Sequence, residues 1–332
     1  VNFRKLFLPT LLISIVISCD TDKNNCPENQ EILSKTIETI SNDFQRISID
    51  IEKAAVFAGN LYSSQNKITS IDTNIFTLSS EGTIYKNIDD GASAIFVTGH
   101  VPVNQTIFKN INISEPLDSL FKVIISKHNQ IVQLFYYDKN SILRLYPFFD
   151  TQFQFKAKLD ITQFGFYSRA NEKNNPKKKV IFINEPYADP AGRGFLISVV
   201  APVYDKEKFM GVLGANITIN TIVEEYFDEN TQKVLVLNDS GTIITASNYV
   251  YNVISIPLPE KYQYYKNVSN HNYLRKINSL SKHKNVEFRN FIKQIIRKEN
   301  EQIEIEINEY NFCLNPIEIE KLGWIIIEFN KI

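Results

Sequence analysis

The apolar residues Leu33, Ile37, Ile40, Phe44, Ile47, Ile51, Ala54, Ala58 and Leu61 recur at alternating four- and three-residue steps. That spacing is the seam of an amphipathic helix over residues 31–61. Some thirty residues at 1.5 Å rise extend about 45 Å, long enough to lie along two small modules. A coiled-coil dimer seam competes for the same pattern, which stops after about four heptads. Beyond it the period changes to two. Phe195, Ile197, Val199, Ala201 and Val203 alternate with Leu196, Ser198, Val200 and Pro202, and a second apolar run from Met210 to Ile219 follows the polar Asp205, Lys206, Glu207 and Lys208. This predicts an antiparallel hairpin within Val180 to Asn220. Before it, Tyr187, Asp189, Pro190, Gly192 and Gly194 form a turn-rich lip at a strand mouth.

Gln130 to Asp150 predicts another hairpin, turning at Asp138 to Ser141. Gln133, Phe135 and Tyr137 share one face of its first strand, and Arg144 and Tyr146 share one face of the second. Alternation does not decide which face points inward, because both carry aromatics.

An internal echo divides the chain. Leu78 to Ile84 and Leu237 to Ile243 share the pattern L-x-x-x-G-T-I, while Ala201-Pro202-Val203 with Gly211 is echoed by Asn315-Pro316-Ile317 with Gly323. Two copies of one strand-rich α/β unit are expected. The boundary falls near 219–232, where Thr221 and Glu224 form a capping-box pattern opening a short helix. The second unit has a polar crossover at 248–285, a helix from about Phe288 to Lys298, and strands at 303–307, 310–319 and 324–329. The expected organisation is a leader at 1–18, a tether at 19–30, the helix at 31–61, a distal module at 62–220 and a proximal module at 221–332. The class is α+β, with antiparallel sheets.

The leader changes the compartment. Arg4 and Lys5 precede an apolar core from Leu6 to Ile17, and Val16-Ile17-Ser18-Cys19 ends in small residues. This resembles a bacterial lipoprotein signal, too short for a membrane span. It implies export, lipid on Cys19, and a place in the cell envelope, periplasmic or surface-exposed. Removing residues 1–18 takes the formal charge from -1 to -3, since Arg4 and Lys5 leave 34 basic against 37 acidic residues. Nothing in that balance points to nucleic acid. With 43% apolar and 22% charged residues in 332, about two ordinary cores are expected. Of three cysteines, Cys26 and Cys313 remain for a bridge that an exported chain permits. A plain buried Cys313 is the alternative.

The sequence has no phosphate loop, dinucleotide fingerprint or nucleophile elbow, and His100, His128, His271 and His283 are scattered. No catalysis, cofactor or metal is expected. The run Tyr187-x-Asp189-Pro190-x-Gly192, then Ser198, then Ala201-Pro202-Val203-Tyr204, then Phe209-x-Gly211-Val212-x-Gly214, resembles the distal module of double Cache sensor domains, which are PAS-like. With its flanks the resemblance covers about residues 30–330.

It implies an extracytoplasmic small-molecule sensor with one long packing helix, signalling through a protein partner. The ligand residues it implies are Phe135, Tyr137, Arg144, Tyr146, Phe166, Tyr167, Tyr187, Asp189 and Asn216. In amino-acid-sensing members an Arg grips the ligand carboxylate and two acidic residues meet the ammonium. Here Phe164 stands at the first position and Asn216 at one of the others. Ordinary α-amino acids are therefore expected to bind weakly, and the ligand to be uncharged, cationic or aromatic. Arg144 could replace the missing guanidinium and reverse that expectation. The alternative is an envelope accessory, structural or adhesin lipoprotein that uses the fold without a ligand.

The leader yields a direct test. Cys19→Ala should abolish lipid attachment, releasing the protein or leaving an unprocessed precursor. Metabolic labelling with a fatty acid checks it, and a mutant that is still labelled refutes the lipoprotein reading.

Overall fold

The structure, a computed structural model, describes residues 30–64, 73–152, 154–189, 193–228, 232–256, 279–299 and 302–332. Residues 1–18, where a leader is expected, and Cys19, Cys26, Pro190, Gly192 and most of the expected crossover lie outside them. Helix α1, Gln30–Ser63, is a single element of 34 residues. Leu33, Ile40, Phe44, Ile47, Ile51, Ala54 and Ala58 are buried along its seam, with Ile37 and Leu61 half-buried against the same core.

After α1 come β1 (Phe76–Leu78), β2 (Ile84–Lys86), β3 (Ala94–Val97), α2 (Gln105–Ile113), α3 (Leu117–Lys127), β4 (Gln133–Asp138) and β5 (Ile142–Tyr146). Then follow α4 (Gly165–Ala170), β6 (Ile181–Ala188), β7 (Phe195–Asp205), β8 (Lys208–Thr218) and α5 (Ile219–Tyr226). These eight strands form one antiparallel sheet in the order β1-β2-β3-β5-β4-β8-β7-β6. The rest comprises β9 (Val234–Asn238), β10 (Ile243–Ala246), α6 (Asn248–Val253), α7 (Val286–Ile296), β11 (Ile303–Ile307), β12 (Tyr310–Ile319) and β13 (Trp324–Lys331). Its five strands pair in the order β10-β9-β13-β12-β11.

The two sheets contain one motif. β5-β4-β8-β7-β6 and β10-β9-β13-β12-β11 both run second, first, fifth, fourth, third in chain order. The Pro202 and Pro316 echo marks the fourth strand of each unit. The L-x-x-x-G-T-I echo, however, is corrected by the sheet order: β9–β10 occupies the place of β4–β5, whereas β1–β2 belongs to a three-stranded extension at the sheet edge. At the equivalent turns, Asp138 Oδ1 accepts from the amides of Asn140 and Ile142, as Asn238 Oδ1 does from those of Ser240 and Thr242. Ser141, at φ 65°, takes the left-handed position held by Gly241 at 73°. The β1–β2 turn, with Gly82 at 80°, shares only the local backbone. Helix α5 also starts earlier than the sequence pattern predicts, because Thr218 rather than Thr221 caps it and accepts from the Thr221 amide at 3.0 Å.

A common core joins α1 to both sheets. It contains Leu134, Tyr136, Val199, Ala201, Leu213 and Ala215 of the first sheet and Val234, Val236, Trp324 and Ile326 of the second. Gly59 permits the close approach to β7, since a Cβ there would lie 2.0 Å from the Tyr204 carbonyl oxygen. Phe44 is fully buried, with its ring centroid 5.2 Å from that of Trp324, 6.2 Å from Phe182 and 6.5 Å from Tyr226. Polar contacts fix the helix's rotation. Asp43 Oδ2 accepts from Gln130 Nε2 and Tyr226 OH, both at 3.1 Å, and Asp50 Oδ2 meets His128 Nε2 at 2.9 Å. On the far sheet Cys313 is disulfide-bonded and fully buried, its partner lying outside the described residues.

Phe44→Ala should therefore destabilise the whole chain by about 3–5 kcal/mol through the cavity it leaves. Denaturant unfolding checks this. A loss confined to one module's spectroscopic signal would contradict the shared core.

Candidate functional site

Strand alternation gives the first sheet two faces. Leu134 and Tyr136 of β4 lie on the α1 side, while Phe135 and Tyr137 join Leu143 and Leu145 of β5, Val200 of β7 and Val212 of β8 on the other. Over that second face fold α4 and the aromatic-rich connection from β5. Gly214 makes room for the Phe135 ring, whose Cζ would be 2.6 Å from a Cβ at that position. Phe135 stacks on Tyr137 with centroids 4.7 Å apart, Tyr137 meets Phe166 at 5.2 Å, and Phe166 stacks on Phe164 at 5.4 Å.

These rings border a narrow cleft whose polar wall consists of Gln133, Tyr187, Asp189, Arg193 and Asn216. The interstitial space is about 400 Å³ with the mouth included, and little of it is wide enough for a water molecule.

The polar wall is a connected chain. Tyr187 OH and Ser198 Oγ lie 2.6 Å apart, and both donate to Asn216 Oδ1, at 3.1 and 2.7 Å. Asn216 Nδ2 then donates to Gln133 Oε1 at 3.1 Å. Gln133 Nε2, at the end of the chain, is buried without a hydrogen-bond partner among the described residues. Across the cleft, Arg193 Nε donates to Asp189 Oδ2, and the guanidinium carbon lies 5.7 Å from the Phe149 ring centroid. Arg193 Nη2 is buried and unpartnered among the described residues. Burial pushes the Tyr137 and Tyr187 hydroxyls above the ordinary tyrosine range, so both keep their protons at physiological pH.

Of the residues named from the sequence, Tyr137, Phe166, Tyr187, Asp189 and Asn216 line the cleft. Phe135 lies beneath Tyr137, and Tyr167 packs edge-on against Phe209 at 5.9 Å. Arg144 and Tyr146 are on the opposite face. Register pairs Arg144 with Tyr136 and Tyr146 with Leu134. The Arg144 guanidinium donates to Asp118 Oδ2 at 2.7 Å, to the Ile111 carbonyl at 2.8 Å and to Ser114 Oγ at 3.1 Å. It therefore ties α2 and α3 to the sheet and is too committed to replace a ligand-binding guanidinium.

Sequence reasoning did not single out Arg193, Gln133, Phe149 or Phe155 as site residues. The first leaves a faint trace, four residues after Asp189. Phe149 and Phe155 lie in an aperiodic connection that offers no face to count. No group of three or more metal-ligating side chains occurs among the described residues.

Residues 103–224, a little over a third of the chain, match the family model described as methyl-accepting chemotaxis protein-like, first PDC sensor domain. Among solved structures, the chain is similar to the ligand-binding domain of the Pseudomonas fluorescens chemoreceptor CtaA in complex with L-serine. Identity is 12%, the TM-score is 0.52, and 90% of this chain and 93% of that one are covered. The ligand-binding domain of the Pseudomonas aeruginosa PAO1 amino acid chemoreceptor PctB in complex with L-Gln matches at 14% identity and a TM-score of 0.50, covering 90% and 88%. The chain has the double Cache fold. Comparison with curated proteins finds no match. In this double Cache fold every residue that lines the cleft falls within the matched segment.

Arg144→Ala should cost about 3–5 kcal/mol of stability, because it leaves Asp118 half-buried without its cation. Thermal unfolding measures the loss. Any ligand of the cleft should bind the folded mutant with unchanged affinity, and a selective loss of binding would return Arg144 to the site.

Proposed function

We propose that this chain is an extracytoplasmic, lipid-anchored sensor module that binds a small molecule in the distal cleft and passes its occupancy to a protein partner. The observation that carries this reading is the buried polar chain from Tyr187 to Gln133, which opens on an aromatic cleft in the segment that matches a sensor-domain family. A buried amide chain ending in an unpaired donor is costly unless something completes it. Two chemoreceptor ligand-binding domains of the same fold are complexes with amino acids, L-Gln and L-serine. The disulfide at Cys313 and the leader support an oxidising compartment outside the cytoplasm. The domain organisation carries over from the sequence: leader 1–18, tether 19–30, helix 31–61, distal ligand-binding module 62–220 and proximal module 221–332. The role is binding, with no catalysis assigned.

The cleft's narrowness favours one second reading, a structural or adhesin lipoprotein that uses the fold without a ligand. Thermal scanning of the purified chain against a metabolite library separates the two. A ligand at 100 times its Kd adds about 2.7 kcal/mol and raises the melting temperature by several degrees. The sensor reading expects such a shift from at least one compound and little from the ordinary α-amino acids, since Phe164 and Asn216 stand where charged ligand groups would need partners. If no compound shifts the transition, the spacer reading stands.

A further inference from the structure

Among the described residues the cleft contains two buried donors without acceptors, Gln133 Nε2 and Arg193 Nη2. Gln133 lines the cleft, is 3% exposed and is held by Asn216 through its oxygen, which leaves its amide nitrogen for another acceptor. Arg193 is held through Nε by Asp189, which leaves its outer edge for another acceptor. Asp189 is 2% exposed and is paired with that cation, so the pair contributes no net charge. A cationic ligand would have to compete with Arg193 for Asp189. An anionic one would leave an excess negative charge in a site walled by Phe149, Phe155, Phe164 and Phe166. A neutral carbonyl oxygen has neither difficulty, because it accepts two hydrogen bonds and brings no charge. The stacked rings and the small free space favour a flat body behind it.

We propose that the cleft binds a small, net-neutral, planar carboxamide or imide, with its carbonyl oxygen received by Arg193 and Gln133 and its flat face against the aromatic wall. This rests on the ligand-binding reading above and narrows it, since Arg193 removes the cationic class that the sequence alone leaves open.

Three probes with one ring and different heads test it: benzamide, benzoate and benzylamine, titrated calorimetrically into the purified chain. Benzamide should bind at least ten-fold more tightly than either ion. Arg193→Lys retains a cation for Asp189 but lacks the second planar N–H, so it should fold with an unchanged transition and weaken benzamide ten-fold or more. Gln133→Leu should weaken it independently. The proposal is overturned if benzoate or benzylamine binds most tightly, if none of the three binds, or if Arg193→Lys leaves benzamide affinity unchanged. The library scan separates this failure from that of the broader reading. A charged compound that shifts the melting temperature, or any that does so equally in Arg193→Lys, refutes the carbonyl assignment while leaving a ligand-binding domain. A library without effect refutes both.

Discussion

A single helix supplies the missing apolar face to two sheets. Each sheet, considered by itself, would leave one side of its hydrophobic strands in water, and α1 covers both with one seam. At about 1.5–3 kcal/mol for each large side chain removed from water, Phe44, Ile47, Ile51 and their neighbours must offset the entropy of ordering 34 residues. They can do so only because strands on both sides contact them. Phe44 is where this dependence is most concentrated, since its neighbours Phe182, Tyr226 and Trp324 come from three separate elements. The relative placement of the modules is thus a packing property of the helix as well as of their direct contact, which includes the bond from Asn184 Nδ2 to the Leu322 carbonyl at 3.0 Å.

The cleft follows from a different constraint. Asn216 and Ser198 sit where strands are paired on both sides, so the backbone there is committed to the sheet and their side chains are what face the cleft's polar wall. Asn216, Ser198 and Gln133 satisfy one another in sequence, which fixes their rotamers before anything binds. Preorganisation of this kind reduces the cost of ordering the site. Arg193 differs in being part-exposed at the rim, with a 28% exposed side chain against 3% for Asp189.

Much of this was legible in the residues. The seam of α1, the β7–β8 hairpin and the last three strands follow from periods of 3.6 and 2, and Tyr187, Asp189 and Asn216 follow from the resemblance. Two errors have a common origin in the hairpin turn between β4 and β5. Alternation sorts residues within a strand, but the length of the turn decides which residues of two strands share a face. Here Tyr137 faces Leu143, which places Arg144 behind the sheet with Tyr136. The same turn hid the true repeat, because Ser141 adopts a left-handed conformation that is usually marked by glycine. Arg193 was hidden for another reason: an ion pair within an irregular loop has no period to betray it.

The sheet under the cleft is one polypeptide thick. Along the six residues of β4, the side chains that touch the cleft alternate with those that bed the helix, and Tyr136 reaches Tyr62 of α1 by a 2.8 Å hydroxyl contact immediately beside Tyr137 in the cleft. The two surfaces therefore have no separate scaffolds. Inserting or deleting one residue in this strand would exchange their populations wholesale, sending the cleft's tyrosine to the helix and the helix's to the cleft. Evolution can revise either surface by substitution, but the chain's reading frame across β4 is shared property and cannot drift on one side alone.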